Sequence, residues 1–209
     1  MTPSTLATDA AIVLAGYFLG AIPFGVLVGR WRRGIDVSRY GSGSTGATNV
    51  LRTMGWRASV IVFAGDLLKS AAAVLLARII TTSASVEALA GVAAVAGHCW
   101  SIYIGGRGGR GVTSTFGATL LLQPFVALGS LVVAAAIMAG TRFASLGSLC
   151  GVAFGTIAMA YLLASHAVPS GYLIFTIGAP LIVYARHRDN IDRLIRGRER
   201  KIGQKAQEA

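Results

Sequence analysis

Apolar residues in this chain come in long runs, separated by short polar segments rich in glycine and arginine. The runs cover residues 10–29, 58–80, 86–104, 112–140, 146–165 and 171–185. A helix needs about 20 apolar residues to cross a bilayer, and fewer where the bilayer thins locally. Run 112–140 is too long for one crossing. At 1.5 Å per residue a single helix there would reach roughly 44 Å, against a ~30 Å hydrocarbon core. Gln123-Pro124 lies inside it; two helices turning at Pro124 would each be short, and charge placement decides for the pair. The pattern predicts an all-α, polytopic membrane protein with seven transmembrane helices in one domain, 1–209.

Charge sets the sidedness. With seven spans, all but Lys69 and Arg78 of the 19 Lys and Arg residues fall on one side of the membrane. With six, the basic tail RHRDNIDRLIRGRERK would cross to the other face, against the bias of basic residues toward the cytoplasm. The N-terminus is therefore expected outside and the C-terminus in the cytoplasm, and the tail is counted from Arg186 to Lys205. The opening MTPSTLATDA has no Lys or Arg, unlike the basic start of a cleavable signal, so the first run is expected to remain as a helix.

Composition agrees. Hydrophobic residues make up 54% and charged residues 13%, where a soluble domain has about 25% charged. The net charge of +11 would suit a nucleic-acid binder if it covered a soluble surface. Here it is concentrated between and after apolar runs, which suits anionic headgroups or anionic substrates. Membrane lipid is the expected partner and nucleic acid is not. Cys99 and Cys150 lie beside or within apolar runs without CxxC or metal spacing, and read as buried free thiols. No metal or cofactor is expected.

Under this topology the unusual segments share one membrane face: YGSGSTGATNVLR (40–52), GGRGGRGVTS (105–114), TRFASLGS (141–148) and RHRDNIDRL (186–194). Gly41, Gly43 and Gly46 allow positive φ and bring bare N–H groups close to a ligand. Ser42, Ser44, Thr45, Thr48 and Asn49 add hydrogen-bonding groups, and Arg52 a fixed fork suited to phosphate. The second loop repeats the scheme, with Gly105, Gly106, Gly108, Gly109 and Gly111 around Arg107 and Arg110. Backbone N–H groups beside arginines bind anions. Taken singly, each loop is equally compatible with tight turns, close helix packing and headgroup contact. No Walker A sequence occurs. His187 and Asp192 have the spacing of an acyltransferase His-x-x-x-x-Asp pair, but five helical residues turn about 500°, so the side chains diverge by about 140°. That spacing reads as chance. His98 and His166 read as packing or interfacial residues, with no carboxylate cluster beside them.

In order, LGAIPFGVLVG, GIDVSRYGSGSTGATNVLRTMG, GDLLKS, GHCWSIYIGGRGGRGVTS, TRFASLGS and RHRDNIDRLIRGRERKI span nearly the whole chain. Together they resemble the bacterial acyl-phosphate:glycerol-3-phosphate acyltransferases, the PlsY family. The resemblance implies a seven-helix enzyme of the bacterial plasma (inner) membrane with a cytoplasmic site. It also implies phospholipid synthesis: acyl transfer from acyl phosphate, not acyl-CoA or acyl carrier protein, to the 1-hydroxyl of sn-glycerol 3-phosphate, giving lysophosphatidic acid. By position it implies a catalytic set of Ser42, Asn49, Arg52, Arg110, His187 and Asn190. Substrate phosphates would be bound by Gly41, Gly43, Thr48, Lys69, Arg107, Gly108, Gly109 and Ser145. Lys69 reads equally as a snorkelling lysine or the partner of Asp66 one turn earlier. The chain departs from the family at Ser44 (usually Asn), Ser101 (usually Pro) and Arg110 (usually Lys).

An acyl phosphate is already activated, so positioning and oxyanion stabilisation are the expected tasks. No nucleophile–base–acid set is visible, and direct transfer without an acyl-enzyme is expected. The hydroxyl proton goes either to a substrate phosphate oxygen or to His187. The acyl tail would enter from lipid. A monomer suffices. A transporter of a phosphorylated solute could use similar loops, but would usually carry an inverted repeat, which is not evident. A scaffold for anionic lipid would explain the tail but not the glycine loops.

Overall fold

A computed structural model describes residues 3–204. Lys205, counted above with the tail, and the first two residues lie outside them. Among the described residues there are α-helices, short 3-10 turns and loops, and no extended strand. The helices are α1 (Pro3–Ala21), α2 (Phe24–Arg33), α3 (Ala47–Met54), α4 (Trp56–Ile80), α5 (Ala84–Cys99), α6 (Val112–Leu122), α7 (Pro124–Thr141), α8 (Ala144–Ala164), α9 (Leu173–Arg186) and α10 (Arg188–Ile195). Among the described residues, five helical stretches are long and apolar enough to cross a membrane: Thr5–Arg33, Trp56–Ile80, Ala84–Ile104, Pro124–Thr141 and Ala144–Ala164. Val112–Leu122 and Ser170–Arg186 are shorter apolar helices.

Run 112–140 divides at Gln123-Pro124 as expected. Pro124 opens α7, where its missing N–H costs no hydrogen bond and its φ is already helical. Run 10–29 is not the continuous helix its hydropathy suggested. It breaks at Ile22-Pro23, because proline lacks an N–H and disfavours helix in the residue before it. The break exposes carbonyls at membrane depth, where unsatisfied backbone is costly, and two distant side chains satisfy them. Ser101 Oγ donates to the Ala21 carbonyl at 2.5 Å, and Lys69 Nζ donates to the Ile22 carbonyl at 2.7 Å.

Helix α1 packs most extensively on α5. A Cβ at Gly20 would strike the Ala94 backbone, and one at Gly97 the carbonyl of Tyr17. Small residues thus let two helices approach closely where no hydrophobic effect drives them together. Helices α4 and α6, α7 and α8, and α5 and α9 complete the bundle. At the end of α4, Arg78 pairs with buried Glu87 of α5 at 2.8 Å, and Tyr172 Oη donates to Glu87 at 3.1 Å. The loops between α2 and α3, α5 and α6, and α7 and α8 gather at the other end, with α10.

Candidate active site

The first glycine loop is wound around one side chain. Asn49, 2% exposed at the start of α3, accepts the Ser42 N–H on Oδ1 at 3.0 Å. Its Nδ2 lies 2.8–3.1 Å from the carbonyls of Ser44, Tyr40 and Val37. Gly41 and Gly43 take φ of +62° and +68° to make the coil, and the Gly43 N–H donates to the Tyr40 carbonyl. Asn49 thus shapes the wall through the backbone. Ser44 Oγ accepts the Gly46 N–H at 3.2 Å.

The second loop lies on the C-terminal end of α5. The Gly109 N–H donates to the His98 carbonyl at 2.9 Å, and the Thr45 N–H reaches the Gly108 carbonyl at 3.4 Å, joining the two glycine loops. A Cβ at Gly108 would meet the His98 and Cys99 carbonyls, and one at Gly109 the His98 imidazole. These two glycines therefore serve close packing. Ser101, where the family usually has proline, takes a φ of −72°, which proline also adopts. It adds what proline cannot, an N–H donated to the Arg107 carbonyl at 3.1 Å.

Between the loops and the helices lies a cavity of about 470 Å³. Its polar end carries Ser42, Thr48, Asn49, Arg52, Arg110, Ser145 and His187, so seven expected residues converge. Its other end is apolar, with Val60 and Phe63 from α4 facing Leu131, Ala135 and Met138 from α7. Val60, Phe63 and Ala135 are exposed rather than buried, so this limb is not closed over by the helices. A second, polar chamber of about 330 Å³ shares Ser42, Ser44 and Arg110, and adds Gly43, Gly108 and Arg186.

Five expected residues line neither chamber. Gly41 and Gly109 act through loop conformation. Arg107 points outward and bonds Ser38 Oγ at 3.1 Å. Lys69 does not reach the cavity. Its ammonium bonds Asp66 Oδ1 at 2.7 Å, the partner expected for it, and also the Ile22 carbonyl. Asn190 sits behind the wall and donates to Glu199 at 2.9 Å.

Burial lowers the pKa of Arg52, with Arg200 nearby adding to the effect and Glu199 opposing it. Arg110 is pushed down to about 10, chiefly by burial, and stays charged at neutral pH. Arg52 donates to the Arg200 carbonyl at 3.2 Å, while its buried Nε has no partner among the described residues. The same is true of Ser145 Oγ. Donors without protein partners around an apolar-ended cavity suit an anionic, lipid-tailed ligand.

His187 is 2% exposed, and its Nδ1 lies 2.8 Å from the Val183 carbonyl. A carbonyl only accepts, so Nδ1 carries the proton and Nε2 of the neutral ring holds the lone pair. Burial, with Arg110 adding to it, lowers its pKa to about 4. His187 is thus neutral at physiological pH, as a general base must be. Asp192 is exposed and pairs with Arg196 at 2.8 Å, away from buried His187, so the His-x-x-x-x-Asp spacing is chance, as expected. Cys99 and Cys150 are free, the first buried and the second partly so.

Glu199 and His98 were not anticipated in the wall. Glu199 accepts from Asn190 and from Arg193 at 2.9 Å, on a segment that returns across the cavity and pairs the Ile202 N–H with the Arg142 carbonyl. His98 also lines the cavity. No carboxylate cluster lies beside it among the described residues, but one carboxylate does: Asp66 Oδ1 is 3.3 Å from its Nδ1.

The family model described as glycerol-3-phosphate acyltransferase matches residues 10–197. Glycerol-3-phosphate acyltransferase 3 of Dehalococcoides mccartyi (strain CBDB1) is 40% identical, over 93% of this chain and 96% of that protein. The glycerol-3-phosphate acyltransferase of Parasynechococcus marenigrum (strain WH8102) is 43% identical, over 95% and 92%. Among solved structures, PlsY, an integral membrane glycerol 3-phosphate acyltransferase, in its glycerol 3-phosphate form, superposes with a TM-score of 0.86. It is 33% identical, with 94% of this chain and 96% of that one covered.

Proposed function

The chain belongs to the glycerol-3-phosphate acyltransferase family, and we propose that it moves a fatty acyl group from acyl phosphate to the 1-hydroxyl of sn-glycerol 3-phosphate. The observation that carries this reading is a single cavity with two characters, Arg52 and Arg110 at one end and an apolar slot at the other. A ligand with a charged head and a long tail fits both.

The acyl phosphate lies with its phosphate at Arg52, Arg110 and the start of α3, where helix N–H groups remain unpaired, and its tail between α4 and α7. The acceptor hydroxyl attacks the acyl carbon. A carbon–oxygen bond to glycerol forms as the bond to phosphate breaks, and inorganic phosphate leaves. The hydroxyl proton ends on that phosphate, passed directly or through His187 Nε2. Transfer is direct, the arginines and Ser145 stabilising charge on the departing phosphate.

Residues 1–209 form one domain with seven spans, counting α1–α2 as one and α6 and α9 as short crossings. The site faces the cytoplasm of a bacterial plasma membrane, the N-terminus lies outside, and a monomer suffices. The gathering of basic residues at the loop end supports this orientation, and a cavity lined by one chain supports the monomer. Purified protein in lipid, given glycerol 3-phosphate and EDTA, should make lysophosphatidic acid from palmitoyl phosphate. Product from palmitoyl-CoA instead would reject the donor.

A further inference from the structure

His98, itself outside the set of groups expected to bind phosphate, lies in a buried polar cluster with Asp66 and Lys69. Lys69 Nζ has three neighbours: the Ile22 carbonyl at 2.7 Å, Asp66 Oδ1 at 2.7 Å and His98 Nδ1 at 3.0 Å. An ammonium has three donors and no acceptor, and a buried one must place all three. If His98 Nδ1 carried a proton, the third donor of Lys69 would face another donor. Placing that third donor favours an Nδ1 that accepts over one that donates to Asp66, and the proton of the neutral ring then sits on Nε2. Asp66, 3.3 Å from the same Nδ1, holds the lysine charge without receiving that proton.

The Nε2 edge faces the other way. It lies against Gly109, where a Cβ would collide with Nε2, and His98 lines the cavity beside Arg110. Glycine at 109 leaves room for the ring in this position. We propose that His98 is a further catalytic residue, its Nε2–H donating a hydrogen bond to an oxygen of the bound acyl phosphate, and that Lys69 and Asp66 are positioning residues that fix its tautomer. The proposal rests on the acyl-phosphate reading above. It explains how Lys69 serves the site without touching the cavity. A donor fixed before substrate arrives needs no reorganisation as charge develops.

The test combines nitrogen-15 spectra of histidine-labelled protein in nanodiscs with steady-state kinetics. Wild type should show His98, assigned by its loss in His98→Gln, as the neutral Nε2-protonated form. Lys69→Met should move the proton to Nδ1, toward Asp66. His98→Leu should lower kcat by about 100- to 1,000-fold, the scale for losing one oxyanion donor. His98→Gln, whose amide nitrogen occupies nearly the Nε2 position, should stay within about tenfold of wild type. A wild-type ring protonated on Nδ1, or a folded His98→Leu enzyme with normal kcat, overturns the proposal. So does a folded His98→Gln enzyme that falls as far as leucine. Should leucine prevent folding, the glutamine variant and the wild-type spectrum decide. Wild type that makes no product from acyl phosphate would remove the donor reading and this role with it. An active wild type beside an active His98→Leu would remove this role alone.

Discussion

Asn49 accepts the Ser42 N–H through Oδ1 and turns Nδ2 toward three carbonyls of the same loop. The wall of the proposed phosphate site is thus a backbone coil around one buried amide. Asn49→Asp keeps the shape but sets a carboxylate against those carbonyls. Each buried group left unpaired costs about 1–3 kcal/mol, so the variant should lose at least ~3 kcal/mol of stability and nearly all turnover. Thermal unfolding in detergent beside the acyl-transfer assay checks both.

Arg52 and Arg110 should differ from Asn49 in leaving stability nearly intact. Removing a hydrogen bond to a charged group costs about 1.5–3 kcal/mol, so Arg52→Ala and Arg110→Ala should each lower kcat/KM roughly 10- to 150-fold. Arg110→Lys should recover most of that loss, because the point charge remains although the planar fork does not. Kinetics with both substrates varied would read this directly.

The pKa of His187, lowered to about 4, fixes a pH dependence. Between pH 6.5 and about 4 the unfolded chain binds a proton at this ring that the folded chain does not. Stability present above pH 6.5 is therefore lost as pH falls through that window, up to roughly 3 kcal/mol for this group. Thermal midpoints from pH 7.5 to 4.5 should fall less steeply for His187→Gln than for wild type. If His187 is also the obligatory base, the same variant should abolish turnover while leaving acceptor binding nearly intact. A mild effect on kcat would assign the proton to the substrate phosphate.

The apolar limb lies between α4 and α7, where Ala135 lines the cavity and is exposed. Ala135→Trp should narrow that slot. The expected result is a drop of tenfold or more in kcat/KM for palmitoyl phosphate, with butyryl phosphate little changed. Equal losses for both donors would place the chain elsewhere.

The bundle was legible where length and chemistry agreed. Run 112–140 was too long for one helix and carried Gln123-Pro124, and the basic tail decided for its division. Pro23 left no such mark, because run 10–29 has the length of one span, and its break is tolerated only through Ser101 and Lys69 from distant segments. The same contrast holds in the site. Ser42, Thr48, Arg52, Arg110, Ser145 and His187 sit in motifs whose chemistry shows in their neighbours along the chain. His98 and Glu199 were not legible, because their roles come from groups brought beside them by folding. For His98 these are Asp66 and Lys69 on another helix. Gly108 and Gly109 were read as phosphate binders, and nothing along the chain signalled that α5 beneath them also requires their lack of a Cβ.

The central claim is that one cavity holds the phosphate of the acyl donor at Arg52 and Arg110 and its tail between α4 and α7. The measurement that tests it most directly is a structure of the protein with a non-transferable acyl phosphonate. The account predicts phosphonate oxygens within hydrogen-bonding distance of both guanidinium groups, with the chain running past Phe63, Leu131 and Met138. A phosphonate bound away from both arginines, or a chain lying outside the α4–α7 slot, would contradict it.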